Sequence, residues 1–157
     1  MATLEDVKIP LFSGLKDEYL ERLAALATVS VYETEQVVFK HDELATHLYI
    51  LKSGRALLES DLSNNVTATV SSIQPGFLMG IAALLQDGKY QHTAVCVEQS
   101  ELVAIPGHDL LELMDTDHSL GYALSKCLLD FQIGRKNTRT EQFLKVITMH
   151  PELKAAL

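Results

Sequence analysis

The segment Phe77–Ala94, FLMGIAALLQDGKYQHTA, comes closest to residues whose types and spacing could do chemistry. Gly80 has no Cβ, and Ile81–Leu85 after it suit one or two short helical turns. A helix start bares N–H groups and carries partial positive charge, so a turn of this kind can cradle a phosphate or a carboxylate. His92 follows in the same segment. An unperturbed imidazole with a pKa of about 6.5 is roughly one-quarter charged at pH 7, and a bound anion would raise that share. Tyr90 and Gln91 could add donors or could equally face solvent. An anion-binding turn and an apolar filled pocket with His92 as an ordinary strand residue both fit the pattern.

Metal and covalent chemistry find less support. His41 and His47 are followed by the distant His92 with no H-x-H pair, so the histidines read as scattered rather than as a metal set. Cys96 and Cys127 have no second Cys or His at zinc spacing, and read as buried free thiols in a reducing compartment. Asp115 and Asp117 suit a solvated turn or a helix cap. Lys52-Ser53 and Ser125-Lys126 lack the glycines of a phosphate loop, and no Ser/His/Asp set has local support. The chain is therefore expected not to be an enzyme and to hold no metal.

The elements that must position Gly80 and His92 follow from hydrophobic period. After a turn at Pro10, Leu15, Tyr19, Leu20, Leu23 and Leu26 recur at helical intervals, predicting an amphipathic helix of about three turns. From Val29 the period changes to two. VSVYETEQVVF alternates, HLYILKSGRALLES reads as two strands hinged at Ser53-Gly54, and NNVTATVSSIQPG runs from an Asn-Asn turn to Pro75-Gly76. TAVCVEQSELVAIPG adds two more short strands. Six to eight such strands without βαβ alternation predict an antiparallel roll or sandwich.

Past Pro106-Gly107 the pattern is helical. HDLLELMDTD predicts one short helix, and a long one begins near His118. Along it Leu120, Leu124, Cys127 and Phe131 step by four, three and four, with Leu128 beside them, the spacing of a seam between helices. A second line, Tyr122, Leu129 and Ile133, lies to one side. One stripe can cover the roll and the other a partner, so a homodimer helix built on Leu120, Leu124, Cys127, Leu128 and Phe131 competes with a wholly intramolecular packing. Gly134 is a predicted bend or end, because glycine costs about 1 kcal/mol relative to alanine in a helix interior. A weaker pattern through Phe143, Leu144 and Ile147 follows before Pro151. The expected organisation of residues 1–157 is one domain: a helical segment 1–28, a roll 29–107 containing the turn segment 76–94, and helices 108–157.

The 157 residues suit one core, and no window approaches the roughly 18 consecutive apolar residues of a membrane span. MATLEDVKIP lacks the basic and apolar regions of a signal peptide, which predicts a cytoplasmic location and no membrane partner. The net charge of −8 argues against a nucleic-acid surface. It is unevenly spread. Residues 1–130 hold 8 Lys+Arg against 19 Asp+Glu, net −11, and residues 131–157 hold 5 against 2, net +3. Arg135, Lys136, Arg139, Lys145 and Lys154 suit a solvated helix face or contact with an acidic partner.

In this order of elements the chain resembles the cyclic-nucleotide-binding domains of catabolite activator proteins, protein kinase A regulatory subunits and cyclic-nucleotide-gated channels. The resemblance covers roughly residues 7–135. IPLFSGLKDEYLERLAALA is similar to the family's helical opening, HLYILKSGRALL to its strand-glycine-strand centre, and PGFLMGIAALL to its phosphate-binding cassette. It implies an α+β, mainly β architecture: an antiparallel jelly-roll flanked by an N-terminal helix and C-terminal helices. It also implies a regulatory module with Gly80, Ile81, Ala82, Ala83, His92, Thr93 and Ala94 around a cyclic AMP, a cyclic GMP or another small anion.

In the family's F-G-E-x-A-L-L cassette the Glu accepts a hydrogen bond from the ribose hydroxyl, and the Arg of the following R-T-A pairs with the cyclic phosphate. The matching residues here are Ile81 and His92. The family's G-E-x-I-x-x-x-G-D region appears as TEQVVFKHDE, without either glycine. A hydrogen bond to a charged group contributes ~1.5–3 kcal/mol, and a stranded buried charge costs ~3–5 kcal/mol. Removing about 5 kcal/mol from a micromolar site held by ~8 kcal/mol leaves binding weaker than millimolar. The resemblance thus implies a sensor of low affinity for cyclic nucleotides. The alternative is a ligand-free scaffold that dimerises or docks on an effector protein. The 27 residues after Asp130 carry no recognisable helix-turn-helix, kinase or channel segment, so a signal is expected to pass to another chain.

Overall fold

The computed structural model describes residues 1–63, 65–150 and 152; Asn64 of the predicted Asn-Asn turn, Pro151 and Lys154 lie outside the described residues. The chain opens with α1 (Leu4–Val7), a 3-10 turn at Pro10–Phe12 and α2 (Asp17–Leu26). Eight strands follow: β1 (Thr28–Tyr32), β2 (Val37–Phe39), β3 (His47–Ser53), β4 (Ala56–Ser63), β5 (Val66–Ile73), β6 (Leu78–Met79), β7 (Thr93–Cys96) and β8 (Ser100–Pro106). A second 3-10 turn, Ile81–Leu84, interrupts them, and α3 (Gly107–Thr116) and α4 (His118–Met149) complete the described chain.

The strands form two four-stranded antiparallel sheets, ordered β1-β8-β3-β6 and β2-β7-β4-β5. This is the expected α+β jelly-roll architecture. β3 explains how one sheet serves two cores. Successive side chains of a strand face opposite sides. Tyr49 and Leu51 therefore enter the space between the sheets with Leu58, Met79, Ala94 and Leu102. Leu48 and Ile50 point outward, where they join Phe12, Leu23, Leu110, Leu120 and Leu124 under the helices. A strand buried on both faces reads as a continuous apolar run, which is what LYIL is.

The long helix differs from expectation at two places. Gly134 does not end it: α4 runs 32 residues without a break. A Cβ at Gly134 would meet nothing within 4 Å, so the position is open to solvent and the helix tolerates glycine's intrinsic penalty. The second correction concerns the seam. Leu120, Leu124 and Leu128 are buried in the chain's own core, and Cys127 and Phe131 pack against that core. The stripe expected to serve a dimer is thus consumed in seating α4 on the roll and on α3. The line left to solvent is Tyr122, Leu129 and Ile133, which are 68%, 59% and 48% exposed.

Arg22 and Asp117 form an ion pair that ties α2 to the α3–α4 junction, and the Asp117 carboxylate also accepts the Leu120 N–H as the cap of α4. Cys96 is buried and Cys127 half-buried, both as free thiols. Among the described residues no helix is long and apolar enough to cross a membrane.

Candidate functional site

Two residues fix the shape of the turn after β6. Gly80 sits at φ +83, a left-handed conformation, and a Cβ there would lie 2.8 Å from the His47 carbonyl oxygen. Both features demand glycine. The turn Ile81–Leu84 then packs against the start of α3, where Gly107 comes so close that a Cβ would fall 2.2 Å from the Ala83 carbonyl oxygen. The cassette is in this way seated directly on the C-terminal helices.

Gly80, Ile81, Ala82 and His92 share one wall of a cavity of about 360 Å3, with Phe39, Leu58 and Tyr90 forming its floor. Other predicted site residues lie elsewhere. Ala83 and Ala94 are buried beneath the wall, and Thr93 turns its hydroxyl to accept the His41 backbone N–H at 3.1 Å. Tyr90 is not a free donor. Its hydroxyl donates to the His47 carbonyl at 3.0 Å and accepts the His47 N–H at 3.1 Å, and its ring stacks on Phe39 with centroids 3.9 Å apart. Gln91 does line the cavity.

His92 is half-buried, with Nδ1 2.9 Å from the Ser60 hydroxyl oxygen. Burial pushes its pKa down, and the positive charges of Arg139, Arg135 and His41 push it further the same way. The ring is therefore neutral at pH 7. As the replacement for a phosphate-pairing arginine, it supplies a hydrogen-bonding group and no charge.

The charge comes from the opposite wall. Gln132, Arg135, Lys136 and Arg139 of α4 face the cavity. Their spacing of three, four and seven places them on one side of a helix. Arg135 is half-buried, its guanidinium 5.5 Å from the Phe131 ring centroid, and burial and Arg139 together push its pKa down. Among the described residues neither arginine nor Lys136 has an ion-pair partner, and no carboxylate lines this cavity. The sequence reading placed these cations on a solvated face or an acidic partner. The signal that could have found them was their i, i+3, i+4, i+7 spacing and their register: Arg135 lies seven residues beyond Leu128 and so continues the Leu124–Leu128 stripe further along the same helix.

In the segment TEQVVFKHDE the two missing glycines fall at Thr34 and His41, and the residue after each, Glu35 and Asp42, holds a positive φ of 68 and 65. The turns are kept in left-handed backbone although their side chains oppose it.

Comparison with known proteins agrees with this geometry. Residues 29–117 match the profile of the cyclic nucleotide-binding domain. The Cyclic AMP receptor protein of Thermus thermophilus is 30% identical over 105 residues, 67% of this chain and 49% of that protein, so the chain spans about half the length of this curated relative. A protein of Geobacter metallireducens GS-15 described as cyclic nucleotide-binding superposes with a TM-score of 0.75 at 26% identity, covering 86% of this chain and 98% of its own. A cyclic nucleotide-binding domain from Methylobacillus flagellatus KT shares the fold with a TM-score of 0.79 at 17% identity, over 90% of this chain and 80% of its own. With more than half its length matching that profile, on a two-sheet roll that carries the Gly80 cassette turn, the chain belongs to the cyclic nucleotide-binding domain family.

Proposed function

We propose that this chain is a non-enzymatic regulatory module of the cytoplasm, which takes a cyclic nucleotide or another small organic anion between the cassette and α4 and signals its occupancy to a partner protein. The observation that carries the reading is the cavity itself: Gly80, Ile81, Ala82 and His92 on one side, and Arg135, Lys136 and Arg139 on the other. Its apolar floor of Phe39 and Leu58 suits a planar organic body, and its helix wall suits negative charge. The cassette leans on α3 through Gly107 and Ala83, and α3 leads through Asp117 into α4, so a ligand that moves the turn presses on the helices. Free thiols at Cys96 and Cys127 agree with a reducing compartment. The net −11 of residues 1–130 favours a protein partner over nucleic acid.

Thermal unfolding of the intact chain with cyclic AMP, cyclic GMP and noncyclic nucleotides at millimolar concentration, at pH 6 and pH 8, tests the reading. A concentration-dependent rise in Tm with at least one of them is expected, because a ligand that binds only the folded state stabilises it by mass action. No shift with any of them defeats it.

A second reading is an interaction module that works without a ligand, and the exposed line Tyr122, Leu129 and Ile133 favours it. Light scattering of Tyr122→Glu/Leu129→Glu should then report a monomer where the unmodified chain is a dimer. An unmodified chain that is already monomeric refutes the homodimer.

A further inference from the structure

The cationic wall implies more about the ligand than its being an anion. Three cations on one helix face, 135, 136 and 139, meet one cavity whose other lining groups are neutral. Gathering them there carries a repulsive cost that no ion pair among the described residues offsets: those ion pairs involve Lys8, Arg22, Lys52 and the histidines, and none involves Arg135, Lys136 or Arg139 of α4. Asp130 lines a second cavity, which the same arginines also line together with Val70 and Phe77, and is absent from the lining of the first. The titratable group that the roll side contributes to the lining beside the guanidinium groups is His92, a base close enough to feel both charges. A ligand with one negative charge leaves two of the three cations uncompensated. Two charges match the arginine pair, each guanidinium offering a planar fork suited to phosphate oxygens.

We propose that α4, through Arg135 and Arg139 with Lys136 beside them, is the charge-recognition element of this site, and that its ligand is a doubly charged phosphate monoester on a planar apolar body rather than a singly charged cyclic phosphodiester. This rests on the reading of the cavity as a ligand site. It transfers phosphate recognition from His92, just before β7, to a helix more than forty residues further along the chain. Holding the anion also holds α4 against the mouth of the roll, because the distal half of α4 is otherwise largely exposed: every described residue from Lys136 to Val146 is exposed. Ligand occupancy and α4 docking become one event.

Isothermal titration of the intact chain with 5′-AMP and with cyclic AMP, in low salt at pH 7.5, is the test, using wild type, Arg135→Gln/Arg139→Gln and His92→Gln. The two ligands share a base and a ribose and differ in phosphate charge. Wild type is expected to bind 5′-AMP at least about tenfold more tightly than cyclic AMP. The double arginine variant should lose about 30-fold or more of its affinity for 5′-AMP, since two charge-assisted hydrogen bonds are removed. His92→Gln should change it by less than about threefold, having removed a neutral contact. The thermal midpoint of the unliganded double variant checks folding; it should equal or exceed that of wild type, because mutual repulsion is relieved. Cyclic AMP bound as tightly as 5′-AMP, or a double variant that binds 5′-AMP like wild type, overturns the helix clamp while leaving the cavity a ligand site. A wild type that binds neither nucleotide, nor inorganic pyrophosphate, overturns both.

Discussion

The two walls of the cavity are built on opposite plans. The cassette wall is a short turn whose form comes from backbone constraints at Gly80 and whose side chains, Ile81, Ala82 and a neutral His92, carry no charge. The helix wall has ordinary backbone, and its side chains, Arg135, Lys136 and Arg139, carry all the charge. The cassette wall is held from beneath by close contact with α3 and β3, whereas the helix wall is held at a distance, through the apolar seam of α4's first half. Shape and charge have separate anchors. In the cassettes that this chain resembles, one short segment supplies both; under the proposal above, this chain keeps the cassette's backbone and moves its charge to a neighbouring element.

The largest way to break this division is to unseat the helix wall from afar. Leu124 is fully buried in the seam, and Leu124→Ala should destabilise the chain by about 3–4 kcal/mol, from lost transfer energy plus the cavity left behind. Urea unfolding measures it, and hydrogen exchange should show α4 opening before the sheets. A cost below about 1 kcal/mol would mean that the seam does not hold the helix. Gly80→Ala attacks the cassette wall instead. The left-handed backbone and the His47 carbonyl at 2.8 Å together predict a loss of about 2 kcal/mol, with exchange rising at Leu78–Leu84 and not in α4. Equal disturbance of both walls by either substitution would erase the distinction between them.

Glu35→Gly lies outside both walls and serves as the control. It relieves a non-glycine residue at φ 68, so unfolding should show a gain of up to about 1 kcal/mol, with ligand response unchanged. The smallest effect is a slope. His92 has its pKa depressed by burial and by the arginines and His41, so its neutral form is favoured in the folded state. Its contribution to stability is present above the ordinary histidine pKa of about 6.5 and is lost as pH falls from there through the folded value. Melting curves between pH 7.5 and 5 should therefore decline more steeply for wild type than for His92→Gln. Identical slopes would show that the imidazole does not feel the helix wall.

Much of the fold was legible in the chain because its causes are local. The period-two runs became eight strands, the Ser53-Gly54 hinge separates β3 from β4, and the Leu15–Leu26 pattern became the α2 region. Gly80 was singled out for its missing Cβ, and the structure supplies the reason in the His47 carbonyl. The sequence left the seam open between a partner and its own roll, because a stripe of Leu120, Leu124 and Phe131 has the same spacing in either case, and the packing against the roll is what the structure shows. Gly134 was read as a break because propensity counts glycine's cost and not the length of helix on either side that absorbs it.

What the sequence by itself determined is the roll and the glycine-headed cassette turn, since each depends on residue type in a local pattern; that Ile81 and His92 stand where the family has Glu and Arg comes from the resemblance. Only the tertiary structure decided which stripe of α4 is buried and that Arg135, Lys136 and Arg139 stand over the cassette. A helix's own periodicity fixes which residues share a face, but the direction that face points is set by how Leu120, Leu124 and Leu128 lock into a core assembled from α2, β3, β8 and α3. That rotation, settled by packing between residues far apart in the chain, is what turns a run of basic residues into the wall of the cavity.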